Sequence, residues 1–343
     1  MTPLVASGGG RVIAPVSRAA CQRDGGGASS RAMERIAALI GLALAAAHPA
    51  AAQDALPAPA PETEVPADVL AIGAEDLRMT VPVDVGGRGV WPFVIDTGAE
   101  RTVLSRELAE RLALAPGRPV RVTTMTGLVV TPTAVVPALR VSTLAPPAIE
   151  APLFGRVNLG AIGMIGLDAL QGHAVVIDFD ANTMSLRPSR RRKLVAREGE
   201  IVVTAKRRSG QLVVTDARWG GRRVSVVIDT GSPVTIANPA LLAAARRAPA
   251  RLGTLSVIAP DGSVLAADAR ALDGVEIGSV TLNGVAVAVA DAAPFHRFDL
   301  ADTPALLLGM ETLRLFRRVE IDFPGRSIRF TLPRAVARPR GAF

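Results

Sequence analysis

The sequence predicts an all-β protein built as two similar lobes on one chain, with only short helices. Three observations predict it. The phrase Phe93-Val94-Ile95-Asp96-Thr97-Gly98-Ala99 returns as Val226-Val227-Ile228-Asp229-Thr230-Gly231-Ser232. Around each copy the same landmarks follow in the same order, as an internal repeat requires. Between them lie short Val/Ile/Thr-rich runs broken by Gly, Pro, Asn and Asp, the composition of strands and turns. A length of 343 residues with 49% apolar side chains supplies two ordinary cores.

Met33-Glu34-Arg35, the apolar stretch Ile36 to Ala47 and the small residues Ala50-Ala51-Ala52 have the three parts of a secretory signal. Residues 1–52 therefore read as leader and signal peptide, with Met33 the better initiator and cleavage expected near Ala52. The apolar run is shorter than the ~20 residues a spanning helix needs. The expectation is a periplasmic or secreted protein with no stable membrane insertion once the signal is removed. Residues 53–68 are a Pro/Ala-rich linker, since so many prolines exclude a helix or a central strand. Residues 53–74 are too short, and lack the basic helical character, to serve as a pro-segment.

The N-terminal lobe is expected over 69–190 and the C-terminal lobe over 200–335, with a basic linker at 191–199 and a tail at 336–343. Gly86-Gly87 and Gly220-Gly221 turn the chain into each motif strand. Nine residues past each aspartate stands a helix N-cap candidate, Ser105 and Asn238. Turns follow at Thr126-Gly127 and Asp261-Gly262. Met164-Ile165-Gly166 and Leu307-Leu308-Gly309 come next, and terminal hairpins open at Val176-Ile177-Asp178-Phe179 and Glu320-Ile321-Asp322-Phe323. Each lobe should be a small, mostly antiparallel β-barrel or sandwich. The Arg187 to Lys193 run reads as a solvated connection between lobes.

Composition removes several function classes. The only cysteine, Cys21, lies in the leader, which excludes a thiol nucleophile, a disulfide scaffold and a thiolate metal site from the rest. Beyond the leader only His173 and His296 remain, each without a neighbouring His or Cys, so no metal site is expected and both read as structural. The net charge of +8 belongs partly to leader arginines, and 3% aromatic content leaves little to stack on bases; nucleic acid is not an expected partner. Trp91 and Trp219 precede the motif strands and should pack on the lobes.

A carboxylate at the end of an apolar strand, followed by Thr-Gly, gives a held acid, a hydroxyl to anchor the turn and a residue that lets backbone approach closely. One such site is a strand end. Two on similar lobes can meet across a pseudo-two-fold, and like charges about 3 Å apart cannot both ionise readily, so the pair shares a proton. One carboxylate then acts as base on water while the other polarises a carbonyl, a peptide hydrolysis that needs no cofactor.

Val94-Ile95-Asp96-Thr97-Gly98-Ala99 and Val227-Ile228-Asp229-Thr230-Gly231-Ser232 resemble the active-site motifs of aspartic proteases, and Ile165-Gly166 and Leu308-Gly309 look like the family's apolar-apolar-glycine element. Lobe size is closer to the retropepsin-like branch than to pepsin. The resemblance implies two retropepsin-like β-barrel lobes about a pseudo-two-fold axis in a pseudo-dimeric monomer, with Asp96 and Asp229 as catalytic dyad and a polypeptide substrate. It implies Thr97 and Thr230 as hydroxyls that lock the loops, Gly98 and Gly231 as close-approach positions, and Gly166 and Gly309 as loop support. A flap is implied around Met125, Thr126 and Gly127, with Asp261 and Gly262 as second-lobe counterpart. A pepsin-type flap tyrosine is impossible, because the chain has none.

Two other readings compete. Val176-Ile177-Asp178-Phe179-Asp180 looks like the Asp-x-Asp of phosphotransferases, but its counterpart ends in Pro324-Gly325, and a shared structural hairpin explains both. A non-catalytic two-lobed protein that holds an extended peptide by strand addition uses the same fold.

Overall fold

The computed structural model describes residues 11–13, 70–71, 73–75, 78–141, 148–170, 172–189 and 195–334. The signal-like segment, the proline-rich linker, residues 190–193 of the basic run and the tail lie outside them. The described residues all belong to one compact unit. Arg11–Ile13, placed by the sequence in the leader, pairs in parallel with Val280–Leu282.

Each lobe is wound around its motif strand. In the first, Arg78–Val85 turns through Gly86-Gly87 into Val90–Ile95, with Thr80 opposite Val94. In the second, Gln211–Trp219 turns through Gly220-Gly221 into Arg222–Ile228, with Val213 opposite Val227. Gly86, Gly87, Gly220 and Gly221 all take positive φ, which only glycine adopts cheaply in such turns. The apolar-apolar-glycine segments then run parallel to the motif strands on their other side, Met164 beside Val94 and Leu307 beside Val227. The lobes are thus not purely antiparallel, because each motif strand takes a parallel neighbour.

Both faces of each motif strand are covered toward its end, burying Trp91, Phe93, Val94 and Ile95 in the first lobe and Val224, Val226, Val227 and Ile228 in the second. Trp91 lies inside its motif strand and is buried, whereas Trp219 closes the preceding strand and donates Nε1–H to Asp273 O at 3.0 Å. The two tryptophans are not equivalent positions. Both helix caps form as the sequence suggests: Ser105 Oγ accepts from Leu108 N–H at 3.2 Å and Asn238 Oδ1 from Leu241 N–H at 2.9 Å, with Pro239 opening the second helix.

The lobes share a sheet. Its strands run in the order Glu200–Arg208, Ser327–Thr331, Arg318–Asp322, His173–Asp178, Thr183–Pro188 and Leu70–Ala71, three from each half. The registers correspond across the middle: Thr183 faces Ala71 as Ser327 faces Thr204. At the centre Val176 faces Glu320, residues that hold the same place in the two hairpin landmarks. Equivalent residues face each other directly only on a two-fold, so the axis passes through that pair. The Asp178 and Asp322 side chains close the two hairpin turns, accepting from Ala181 N–H at 3.0 Å and Gly325 N–H at 2.8 Å. Both therefore serve a turn, as the structural reading of the Asp-Phe-Asp segment requires.

Candidate active site

The motif strands end side by side on the axis. Thr97 Oγ1 donates to Ile228 O at 2.8 Å and Thr230 Oγ1 donates to Ile95 O at 2.7 Å, each crossing to the other lobe. Thr97 N–H donates to Thr230 Oγ1 at 3.1 Å and Thr230 N–H to Thr97 Oγ1 at 3.2 Å. Both threonines are buried, so these four bonds satisfy groups that water cannot reach.

The carboxylates are held the same way in each lobe. Asp96 Oδ1 accepts from Gly98 N–H at 2.8 Å and Ala99 N–H at 2.9 Å. Asp229 Oδ1 accepts from Gly231 N–H and Ser232 N–H, both at 3.1 Å. One oxygen of each group is thus tied to its own loop. Each motif glycine then packs on the carboxyl of the other lobe. A Cβ on Gly98 would lie 2.6 Å from Asp229 Oδ1, and one on Gly231 would collide with the Asp96 carboxyl. Only hydrogen at these two positions lets the acids approach each other so closely.

Burial pushes the Asp96 carboxyl above its ordinary range, against the pull of the Gly98 and Ala99 N–H groups and of the Arg78 charge. Burial and the negative charge of Asp96 push Asp229 up to about 8. Asp96 keeps partial access to solvent while Asp229 is buried. Two acids so placed titrate as a pair, and one proton stays on it across a wide pH range.

A second layer holds the loops. Thr102 and Thr235, each six residues past its aspartate, accept the N–H of Gly166 at 3.2 Å and of Gly309 at 3.1 Å. Thr102 Oγ1 in turn donates to Asp168 Oδ1 at 2.7 Å, while Thr235 Oγ1 pairs with Thr312 Oγ1 at 2.7 Å. The glycines are required because a Cβ there would strike backbone of Arg101 or Val234. Glu311, which the sequence aligns with Asp168, is exposed, and Thr312 takes the corresponding role. Gln211 bridges the halves, donating Nε2–H to Gly98 O at 2.8 Å. The six-residue spacing of Thr102 and Thr235 was a readable signal; Gln211 and Asp168 had none.

Met125, Thr126 and Gly127 cap the hairpin Val120–Thr123 and Leu128–Thr131, which reaches the second lobe. Met125 O accepts from Ala293 N–H at 2.9 Å, and its side chain packs on the second-lobe core. Asp261 and Gly262 cap a longer hairpin, Ala250–Ile258 and Val264–Leu272, whose Gly262 lies against Asn158 of the first lobe. The tips meet through Thr126 Oγ1 and Ser263 Oγ, and Ser263 Oγ donates to Asp261 Oδ1 at 2.7 Å.

His296 is exposed and lies 2.6 Å from Asp291; His173 is half-buried with its Nδ1 unpartnered, so only the first is satisfied. No group of three or more metal-binding side chains occurs among the described residues.

The profile of a family described as aspartyl protease matches residues 81–169 and 215–312, one match per lobe and together more than half of the chain. The chain belongs to the aspartyl protease family. Within this family assignment the two matches span Asp96 and Asp229 and both loop-supporting glycines, Gly166 and Gly309. The all-β, two-lobed retropepsin-like architecture expected of an aspartyl protease is the one observed. No curated protein is similar enough to add a relative.

Proposed function

We propose that this aspartyl protease family member is an exported endopeptidase that hydrolyses peptide bonds of an extended polypeptide with water activated by Asp96 and Asp229. The observation that carries the reading is the approach of two loop-tethered carboxyls across the axis, each packed on the motif glycine of the other lobe and each with raised proton affinity.

The chemistry balances without a cofactor. The ionised carboxylate removes a proton from water as its oxygen attacks the peptide carbonyl carbon, and the protonated carboxyl donates to the carbonyl oxygen. The tetrahedral diol then collapses: one diol hydroxyl returns its proton to the carboxylate that had protonated the carbonyl oxygen, the C–N bond breaks, and the proton taken from water passes to the departing amine. The fixed N–H donors on one oxygen of each carboxyl keep both acids in place, so little reorganisation accompanies the transfer. The hairpins carrying Met125-Thr126-Gly127 and Asp261-Gly262 bridge the lobes and present exposed strand edges to which an extended chain can add. The pseudo-dimer supplies both halves of the site, so one chain suffices.

The purified full chain should cleave an unfolded protein at internal bonds, and Asp96→Asn and Asp229→Asn should each abolish cleavage while remaining folded. Full activity in either variant, or a folded wild type that binds peptides without cutting them between pH 3 and 8, rejects the hydrolytic reading; the latter selects the peptide-binding one. The charged, apolar and small-residue segments of 33–52 support export to the periplasm, tested by fractionating cells that express the full chain.

A further inference from the structure

We propose that Arg78 makes the two carboxyls unequal, keeping Asp96 as the ionised member of the pair and leaving the proton on Asp229. This rests on the dyad being the reactive centre, but its test does not depend on turnover.

The two-fold allows the surroundings of the acids to be compared position by position. Arg78 and Gln211 open equivalent strands, two residues before the pairs Thr80–Val94 and Val213–Val227. Gln211 donates to Gly98, the residue that rests on the Asp229 carboxyl. The axis carries Gln211 onto Arg78, in the half where Gly231 rests on Asp96. The same strand position thus holds a neutral amide in one half and a cation in the other.

The cation is not neutralised where it sits. Arg78 is 7% exposed; its Nη1–H donates to Leu159 O at 3.0 Å and its Nη2–H to Gly160 O, while Nε has no partner. Gly160, at φ +62°, leaves the guanidinium its space. Among the described residues no carboxylate pairs with it, so its field extends through a poorly screening interior. The charge acting on Asp96 is that of Arg78, which draws its carboxyl down, and the charge acting on Asp229 is that of Asp96, which pushes it up. In the hydrolytic reading Asp96 is then the base toward water and Asp229 the proton donor to the carbonyl oxygen. Arg78 is a positioning residue, acting through Asp96. A simple tie between its strand and the carbonyl end of Arg156–Leu159 is the competing explanation, and the experiment separates the two.

Carboxyl-carbon NMR titrations of the full chain read each acid alone in Asp229→Asn and Asp96→Asn. Asp96 should titrate below Asp229. Adding Arg78→Gln should raise the Asp96 midpoint by about 1 pH unit, the lower end of what a nearby opposite charge produces, and leave Asp229 in place. Arg78→Lys, which keeps the charge and loses the paired donors, should hold Asp96 low. Gln211→Arg should lower the Asp229 midpoint. An Asp96 midpoint unmoved by Arg78→Gln, or as high in Arg78→Lys as in Arg78→Gln, overturns the proposal. If Arg78→Gln does not fold, an Asp229 midpoint unmoved by Gln211→Arg overturns it. A wild type that cleaves nothing would reject the hydrolytic function and leave these midpoints as they are.

Discussion

Asp229→Asn should make the protein more stable, and by an amount that depends on pH. Asp229 titrates near 8 in the fold against an ordinary value of 3.8, because burial and the Asp96 charge disfavour its ionised form. Its folded pKa is raised, so between these values the folded chain holds a proton that the unfolded chain has released. Below about pH 4 both states are protonated and the group costs nothing. As pH rises toward 8 the unfolded state gains the advantage, and stability falls. A shift of about 4 units corresponds to about 6 kcal/mol at the high-pH limit, at 1.36 kcal/mol per unit. Asparagine cannot ionise, yet its Oδ1 can still accept from Gly231 and Ser232 as the aspartate does. Urea unfolding of wild type and Asp229→Asn at pH 4, 6 and 8, with equal m values, should show near-equal stability at pH 4 and a gap of several kcal/mol at pH 8. A gap that stays constant or narrows toward pH 8 would refute the reasoning.

Thr230→Val removes the donor to Ile95 O and the acceptor of Thr97 N–H, both buried. At about 1–3 kcal/mol per orphaned group it should cost about 2–6 kcal/mol, largely recovered by Thr230→Ser; a loss below about 1 kcal/mol in urea unfolding would contradict the cross-lobe tie. Gly231→Ala places a methyl where the Asp96 carboxyl lies and should abolish peptide cleavage, whereas Gly220→Ala, at φ +57° with open space around it, should cost about 1 kcal/mol and leave cleavage intact. Equal cleavage rates in the two alanine variants would show that the acids do not need that close approach.

The sequence exposed those parts of the molecule that repeat in identity. Asp-Thr-Gly, the capping Ser105 and Asn238, and the glycines 166 and 309 recur because both lobes impose the same backbone geometry there. Thr102 and Thr235 recur too, and their common spacing of six residues from each aspartate is what marks them. Arg78 and Gln211 were invisible for the opposite reason, since equivalent positions hold unlike residues and only the strand registers reveal the correspondence. The shared sheet was equally hidden: its central pairing joins Val176 to Glu320, and alternating patterns show that a strand exists without naming its neighbour.

That sheet has a mechanical consequence. Six strands, contributed equally by both halves, form a continuous hydrogen-bonded floor, and spreading the lobes would shear it along its whole length. The hairpin tips above are fastened far more lightly, by the Met125 carbonyl, one hydroxyl pair and side-chain packing. Bonds of that kind are worth about 1 kcal/mol each, so the tips can part thermally while the floor stays closed. The molecule is stiff where the acids must stay aligned and compliant where a chain must be threaded, so strain from a bulky guest is taken up at the hairpins.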